Sequence, residues 1–314
     1  MDTLLLVLAQ GIVGLALAPL LFGITRTTKA RLQYRRGACL LQPYRDLAKW
    51  WAKDPVESET ASPLTVAVPA IVLGTMVLAV FLVPLVARQV VLPAAGDVLV
   101  VIGLLALARF ALALGALDAG SAFGGMGASR EVAIASLVEP GLMLAIAVGV
   151  MDAGTTDLAA MAAGGELLGG AGVTPALALG AAAFAIIAVA ETGHEPVDNP
   201  DTHLELTMIH EGMMLEASGR RLAYLMVASQ LKLVVVVGLF SAVFLPMGMA
   251  AELTPAALGV GMAAAAMKLG VAAVGLAILD ASLAKLRILA LPSLLGVASV
   301  LGITALATQL WLTA

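Results

Sequence analysis

The chain has 314 residues, 61% of them hydrophobic and only 12% charged, with mean hydropathy +1.04 and net charge −4. Soluble domains run nearer half apolar and a quarter charged, so the composition points to a polytopic helical membrane protein, a single membrane domain over 1–314. The one cysteine, Cys39, excludes a disulfide framework, an iron–sulfur cluster or a Cys-rich zinc site built by this chain alone; no basic stripe suggests nucleic acid, and apolar runs without alternation argue against a β-barrel.

A spanning helix needs about 20 apolar residues. Runs near 4–24, 64–87, 98–117, 132–151, 175–190, 222–245, 255–279 and 288–312 meet or approach that length, which predicts an all-α bundle of about eight transmembrane helices. The fifth is the shortest and can extend into Glu191. No Lys or Arg precedes the first run, so it does not read as a cleaved signal peptide. Lys and Arg gather in the odd-numbered connections: Arg26, Lys29, Arg31, Arg35, Arg36, Arg45, Lys49 and Lys53 in the first, Arg130 in the third, Arg220 and Arg221 in the fifth, Lys285 and Arg287 in the seventh. The even connections hold only Arg88. The positive-inside rule then places the odd connections in the cytoplasm and both termini on the other side of the cytoplasmic (inner) membrane.

Within the first connection, Leu40, Tyr44, Leu47 and Trp51 recur at helical spacing with Arg45, Asp46, Lys49 and Lys53 on other faces. That pattern predicts an amphipathic helix lying at the cytoplasmic interface. The fourth connection, 152–174, is glycine-rich and reads as a solvated external loop. No internal repeat supports an inverted-repeat transporter.

The fifth connection concentrates the ionisable chemistry. Residues 190–219 contain Glu191, Glu195, Asp198, Asp201, Glu205, Glu211 and Glu216 together with all 3 histidines, His194, His203 and His210. Pro196 and Pro200 break helix there, and Thr202 and Glu205 have capping-box spacing. On the helix so started, Asp201, Glu205, Gly212 and Glu216 fall on one stripe beside Glu191 and Asp198. Carboxylates gathered in this way suit a proton-loading site, because like charges and partial burial favour proton uptake. The plain alternative, a solvated acidic loop, sits poorly with the interleaved Leu204, Leu206, Met208, Ile209, Met213, Met214 and Leu215. Helix spacing of His203, His210 and Glu211 permits a metal site, but without an HExxH signature none is assigned.

Five ionisable residues fall at bilayer depth or at its edge: Arg109, Glu139 (followed by Pro140), Glu191, Lys232 and Lys268. Each costs a few kcal/mol or more unless it has a partner or faces water. Structural pairing accounts for Lys232 and Glu191; Glu139 and Lys268 sit deeper and suit a proton relay.

Four stretches together resemble one family. They are AETGHEPVDNPDTHLELTMIHEGMMLEASG at 190–219, ARLQYRRGACLLQPYRDLAKWWAKD at 30–54, LDAGSAFGGMGASREVAIASLVEP at 117–140 and MKLGVAAVGLAILDASLAKLRI at 267–288. They are similar to the membrane subunit that energy-converting (group 4) [NiFe]-hydrogenases share with subunit 1 of respiratory complex I. The resemblance covers essentially the whole chain, and the forms GASREV and PVDNPDTHLELTMIHE lie nearer the hydrogenase branch, which includes formate hydrogenlyase. The resemblance implies a non-catalytic subunit that anchors peripheral redox subunits and couples electron transfer to proton or Na⁺ translocation. It implies a proton or ion pathway through Glu139, Glu191, Asp198, Asp201, Glu205, Glu216 and Lys268, supported by Arg109, Asp118, Arg130, Glu131, Lys232 and Asp280. It also implies a docking surface on the first connection, with Arg31, Arg35, Arg36, Tyr44, Arg45 and Trp51. Expected partners are hydrogenase large and small subunits, a ferredoxin-like iron–sulfur subunit and antiporter-like membrane subunits in the lipid bilayer. The NiFe centre and iron–sulfur clusters would reside in those partners, with no cofactor bound by this chain. Two alternatives remain: a complex I-type subunit contributing to a quinone site, and a stand-alone secondary transporter.

Overall fold

The computed structural model describes residues 2–56, 58, 61–90, 95–164, 174–199 and 208–313. Among these the secondary structure is helical, with two isolated bridges, Ala87 to Ala250 and Asp97 to Asp157. The helices are α1 (Asp2–Leu32), α2 (Gln42–Trp51), α3 (Pro63–Leu82), α4 (Val98–Asp118), α5 (Ala122–Ala153), α6 (Leu158–Gly164), α7 (Pro175–Glu191), α8 (His210–Met214), α9 (Gly219–Phe244), α10 (Pro255–Ser282) and α11 (Leu291–Thr313). Seven are long and apolar enough to cross a bilayer, and α7 is a shorter apolar helix. These eight correspond to the eight apolar runs of the sequence.

Local chemistry sets the helix starts. Ser62, Asp97, Ser121, Thr174 and Thr254 each accept a hydrogen bond from a backbone N–H of the first turn. α3, α7 and α10 add a proline in that turn, where its missing N–H costs nothing. α5 ends at Gly154 in the left-handed region (φ 67°).

α5, α7 and α11 form one packed group, and α3 lies against α4 and α9. α9 is the central post, with 72% of its most apolar stretch buried, against 22% for α10. α10 leans chiefly on α1 and touches α9 only lightly. Phe184, Phe240 and Phe244 meet at centroid distances of 5.4–5.8 Å, binding α7 to the far end of α9.

Several boundaries depart from the sequence expectation. The 64–87 run is helical only to Leu82; Pro84 follows, and residues 83–90 turn across the bundle end to meet Ala250. α1 runs on to Leu32, so Arg26, Lys29 and Arg31 are helical. The third connection is almost absent, because α5 starts at Ala122 and takes in Arg130 and Glu131, which the spacing had left before the helix. Gly127 in this early part of α5 answers to a neighbour: a Cβ there would lie 2.8 Å from the Ile209 carbonyl of the segment leading into α8. The fourth connection is not simply a solvated loop, since α6 buries Leu158, Met161 and Ala162 against the bundle.

The amphipathic helix of the first connection is present as α2, with a different inner face. Pro43 and Leu47 are buried, whereas Leu40 precedes the helix and is exposed. The Tyr44 hydroxyl donates to the Ala16 carbonyl of α1, and the Trp51 ring meets Tyr224 of α9 edge-on at 5.3 Å. Beyond α2, Val56 N–H donates to Ser218 Oγ (2.7 Å) and Asp54 pairs with Arg220 (2.8 Å), which fastens the first connection to the start of α9. Gly219 sits at φ 53° there, where a Cβ would meet the Asp54 carbonyl at 2.6 Å.

Candidate functional site

Four helices bring charge together inside the bundle. Arg109, one residue past the middle of α4, is buried and pairs with carboxylates of α5 and α7. Its guanidinium donates to Glu139 (2.8 Å), lies 3.4 Å from Glu131 and donates to Glu191. Lys232 of α9 approaches Glu191 Oε1 at 3.8 Å. A guanidinium with several donors in a fixed fork suits such shared recognition of carboxylates.

The charge balance is uneven. Two cations, Arg109 and Lys232, face three carboxylates, Glu131, Glu139 and Glu191. A buried unpaired charge is costly, so one bound proton or monovalent cation would neutralise the set. Glu191 Oε1 accepts no hydrogen bond among the described residues and has room beside it. Glu191 is the most enclosed member, its side chain 1% exposed, and Glu139 the most accessible at 38%. Pro140 follows Glu139 inside α5 and removes a backbone donor at that point of the helix.

Small cavities lie between this cluster and the loop after α7, their walls part polar and part apolar. One of about 20 Å³ is lined by Arg109, Glu131, His210 and Lys232. A second of about 20 Å³ is lined by Glu131, Glu191, Asp198, His210 and Lys232. A third, about 70 Å³, is lined by Gly193, His194, Asp198, His210 and Glu211. Each exceeds the roughly 10–15 Å³ that one water needs, and adjacent cavities share lining residues. His210 borders all three. Burial and the positive charges of Lys232 and Arg109 push its imidazole pKa down to about 3. It is therefore neutral at physiological pH, one ring nitrogen a donor and the other an acceptor.

The loop beyond is latched to the end of α10. His194 Nδ1 hydrogen-bonds Asp280 Oδ2 (2.8 Å), and the Glu195 N–H donates to Asp280 Oδ1 (3.0 Å). Lys285 donates to Asp198 Oδ1 (2.6 Å), the His210 N–H to Asp198 Oδ2 (3.1 Å), and the Leu286 N–H to the Pro196 carbonyl (2.9 Å). Asp198 thus holds together the two ends of the segment that brackets residues 200–207.

The expected pathway residues divide accordingly. Glu139, Glu191 and Asp198 line or border the cluster and its cavities. Asp201 and Glu205 lie outside the described residues, as does His203. The continuous acidic helix is not observed: α8 spans only His210–Met214, with a break at Met208 and Ile209, and Glu216 lies past its end, exposed at the rim of a separate cavity. Lys268 stands elsewhere, donating to Ser241 Oγ (2.8 Å) and to the Leu245 carbonyl, where it caps the C-terminus of α9. Among the supporting residues, Arg109, Glu131 and Lys232 belong to the cluster, Asp280 is the latch, and Arg130 donates to the Met208 carbonyl (3.2 Å). Asp118 caps α3, accepting from Ser62 and Thr65 backbone and hydroxyl groups at 2.6–3.2 Å. On the first connection Arg31, Arg35, Arg36 and Arg45 are exposed, whereas Tyr44 and Trp51 are spent on α1 and α9. Sequence reasoning missed His210 as the residue common to the cavities. Its sequence signals were its place among the three histidines of the acidic segment and its helix spacing to His203 and Glu211. Among the described residues no group of three or more His, Cys, Asp or Glu is placed to hold a metal.

Comparison with known proteins gives a consistent result. The model of a family described as NADH dehydrogenase matches residues 4–312. The chain is 34% identical over 306 residues to hydrogenase-4 component C of Escherichia coli K12, covering 98% of this chain and 95% of that one. It is 34% identical over 282 residues to formate hydrogenlyase subunit 4 of the same organism, covering 90% of each. In fold it is similar to a chain of the membrane-bound sulfane sulfur reductase, an archaeal respiratory membrane complex, with TM-score 0.80 and 23% identity over 97% of this chain and all of that one.

Proposed function

The chain belongs to the NADH dehydrogenase family, the complex I subunit 1-like membrane proteins, and on that premise we propose that it is the membrane subunit of an energy-converting hydrogenase complex. It anchors the peripheral NiFe and iron–sulfur subunits on the cytoplasmic face and couples their electron transfer to proton or Na⁺ movement. The observation that carries the coupling role is the set of three carboxylates, Glu131 and Glu191 of them enclosed, against two cations, with water-sized cavities between it and the loop after α7. The exposed arginines of the first connection supply the docking charge. Movement of the 192–199 segment at that surface would shift Asp198 and His210 against Glu131 and Glu191, and so change which carboxylate holds the extra proton. Antiporter-like membrane partners would receive it.

The test has two parts. Purifying the tagged chain from native membranes in mild detergent should bring down nickel and a hydrogenase large subunit. A flavin- and NADH-linked arm without nickel would instead support the quinone-reducing branch. Glu139→Gln, the variant least dangerous to folding because its side chain is partly exposed, should then keep hydrogenase turnover with an artificial electron donor. Ion translocation per turnover should fall about tenfold, a barrier change of about 1.4 kcal/mol. Undiminished translocation would rule out the cluster as the coupling site.

A further inference from the structure

Between α7, α9 and α10 lies a cavity of about 570 Å³. Its walls are apolar, among them Val236, Phe240, Val271 and Leu276, and Lys268 stands at one end. Met267 and Val271 are 65% and 67% exposed along its mouth, so the bundle leaves this surface uncovered. From these features we propose that the groove binds one anionic phospholipid, its phosphate on Lys268 and an acyl chain laid between α9 and α10.

Three observations select that occupant. The first is depth. Lys268 bonds the end of α9, and Val243 of that end packs on Gly149, about one turn from the Ala153 terminus of α5. The ammonium therefore lies near the edge of the membrane, at headgroup level. The second is length. From Lys268 to Leu279, at the other end of the groove, α10 rises about 16 Å at about 1.5 Å per residue. One leaflet of a hydrocarbon core about 30 Å thick is about 15 Å deep, so the groove is as long as one acyl layer. The third is charge. The bonds of Lys268 go to a hydroxyl and a carbonyl, and no carboxylate among the described residues pairs with it. A half-buried ammonium with only neutral acceptors, beside an apolar slot, is complementary to a phosphate on a hydrocarbon tail. The volume falls within the roughly 300–1,000 Å³ of ligand pockets.

The experiment uses the chain purified with its co-purifying subunits and reconstituted in nanodiscs of equimolar phosphatidylglycerol and phosphatidylcholine. Either lipid carries a diazirine on its acyl chain. Crosslinking should favour phosphatidylglycerol at least fivefold and map to peptides holding Phe240 and Val271. Lys268→Gln should abolish that preference, and Lys268→Arg should keep it. Gly275 also lines the groove, and a Cβ there meets nothing within 4 Å. Gly275→Phe should therefore fill the slot without disturbing the fold and lower capture of both lipids at least fivefold. Equal capture of the two lipids overturns the proposal, as does unchanged preference in Lys268→Gln. So does crosslinking of a photoreactive residue at Val271 to another polypeptide in place of lipid, since a partner helix would then fill the groove.

Discussion

At the scale of single residues, the cluster makes unequal demands on its members. Arg109 serves all three carboxylates, so Arg109→Met leaves Glu131, Glu139 and Glu191 with Lys232 alone. Breaking a buried pair by removing one partner costs about 3–5 kcal/mol, and the variant should show a large loss of thermal stability in detergent or fail to accumulate in membranes. Glu139→Gln should cost less than about 1 kcal/mol, since that carboxylate is the accessible one. His210 makes a pH prediction. Its folded pKa of about 3 lies below the unfolded value of 6.5, so between those values the unfolded chain binds a proton that the folded chain does not. Its contribution is thus fully present above pH 6.5 and declines as pH falls, by about 2 kcal/mol between pH 6.5 and pH 5. Thermal unfolding followed across that range should show the decline, and His210→Gln should flatten it. Arg109, Glu139, Glu191 and Lys232 were legible as isolated charges at membrane depth or its edge. Their grouping was not, because Arg109 and Glu191 stand 82 positions apart and nothing in their spacing names a partner.

At the scale of elements, hydropathy located every long helix, since desolvating a backbone in lipid leaves few options besides a helix. It failed where tertiary contact overrode composition. The expected fourth span began at 132, yet α5 begins ten residues earlier, and its Gly127 lies where the α8 approach leaves no room for a side chain. Gly127→Val would push a branched side chain against the Ile209 carbonyl and the Met213 backbone. It should displace α8, cost about 1–3 kcal/mol, and uncouple translocation from redox turnover while leaving the other helices folded. Circular dichroism with a translocation assay checks both halves. The latch gives a second prediction at this scale. Asp280→Asn keeps the shape but weakens two charge-assisted bonds from His194 and Glu195 N–H. Protease sensitivity between residues 192 and 199 should rise, by roughly the factor of ten that about 1.5 kcal/mol allows.

For the whole molecule, the eight-helix bundle reads as a rigid group around α9 with α10 loosely applied to α1. The distribution of Lys and Arg predicts an orientation with α2 in the cytoplasm, and Cys39 offers a direct check. It is the single cysteine of the chain and it is exposed. A membrane-impermeant maleimide should label it in inverted vesicles stripped of peripheral subunits, and should not label it in right-side-out vesicles. Reattachment of the peripheral subunits should protect it, because the neighbouring Arg35 and Arg36 belong to the proposed docking surface.

The separation of the cluster's members along the chain also bears on how the protein is made. Glu139 lies 30 positions after Arg109, and Glu191 lies 82 positions after it. A ribosome therefore delivers the guanidinium to the bilayer well before its tightest partner exists. A lone arginine at mid-helix costs about 2.5–3.5 kcal/mol on insertion, which the apolar remainder of α4 must offset at first. α5 brings the earliest relief through Glu131 and then Glu139, and the arrangement closes only when α7 and α9 have entered. The two carboxylates of α5 thus guard the arginine before the bundle is complete, and nascent chains halted between α5 and α7 should already hold α4 in place.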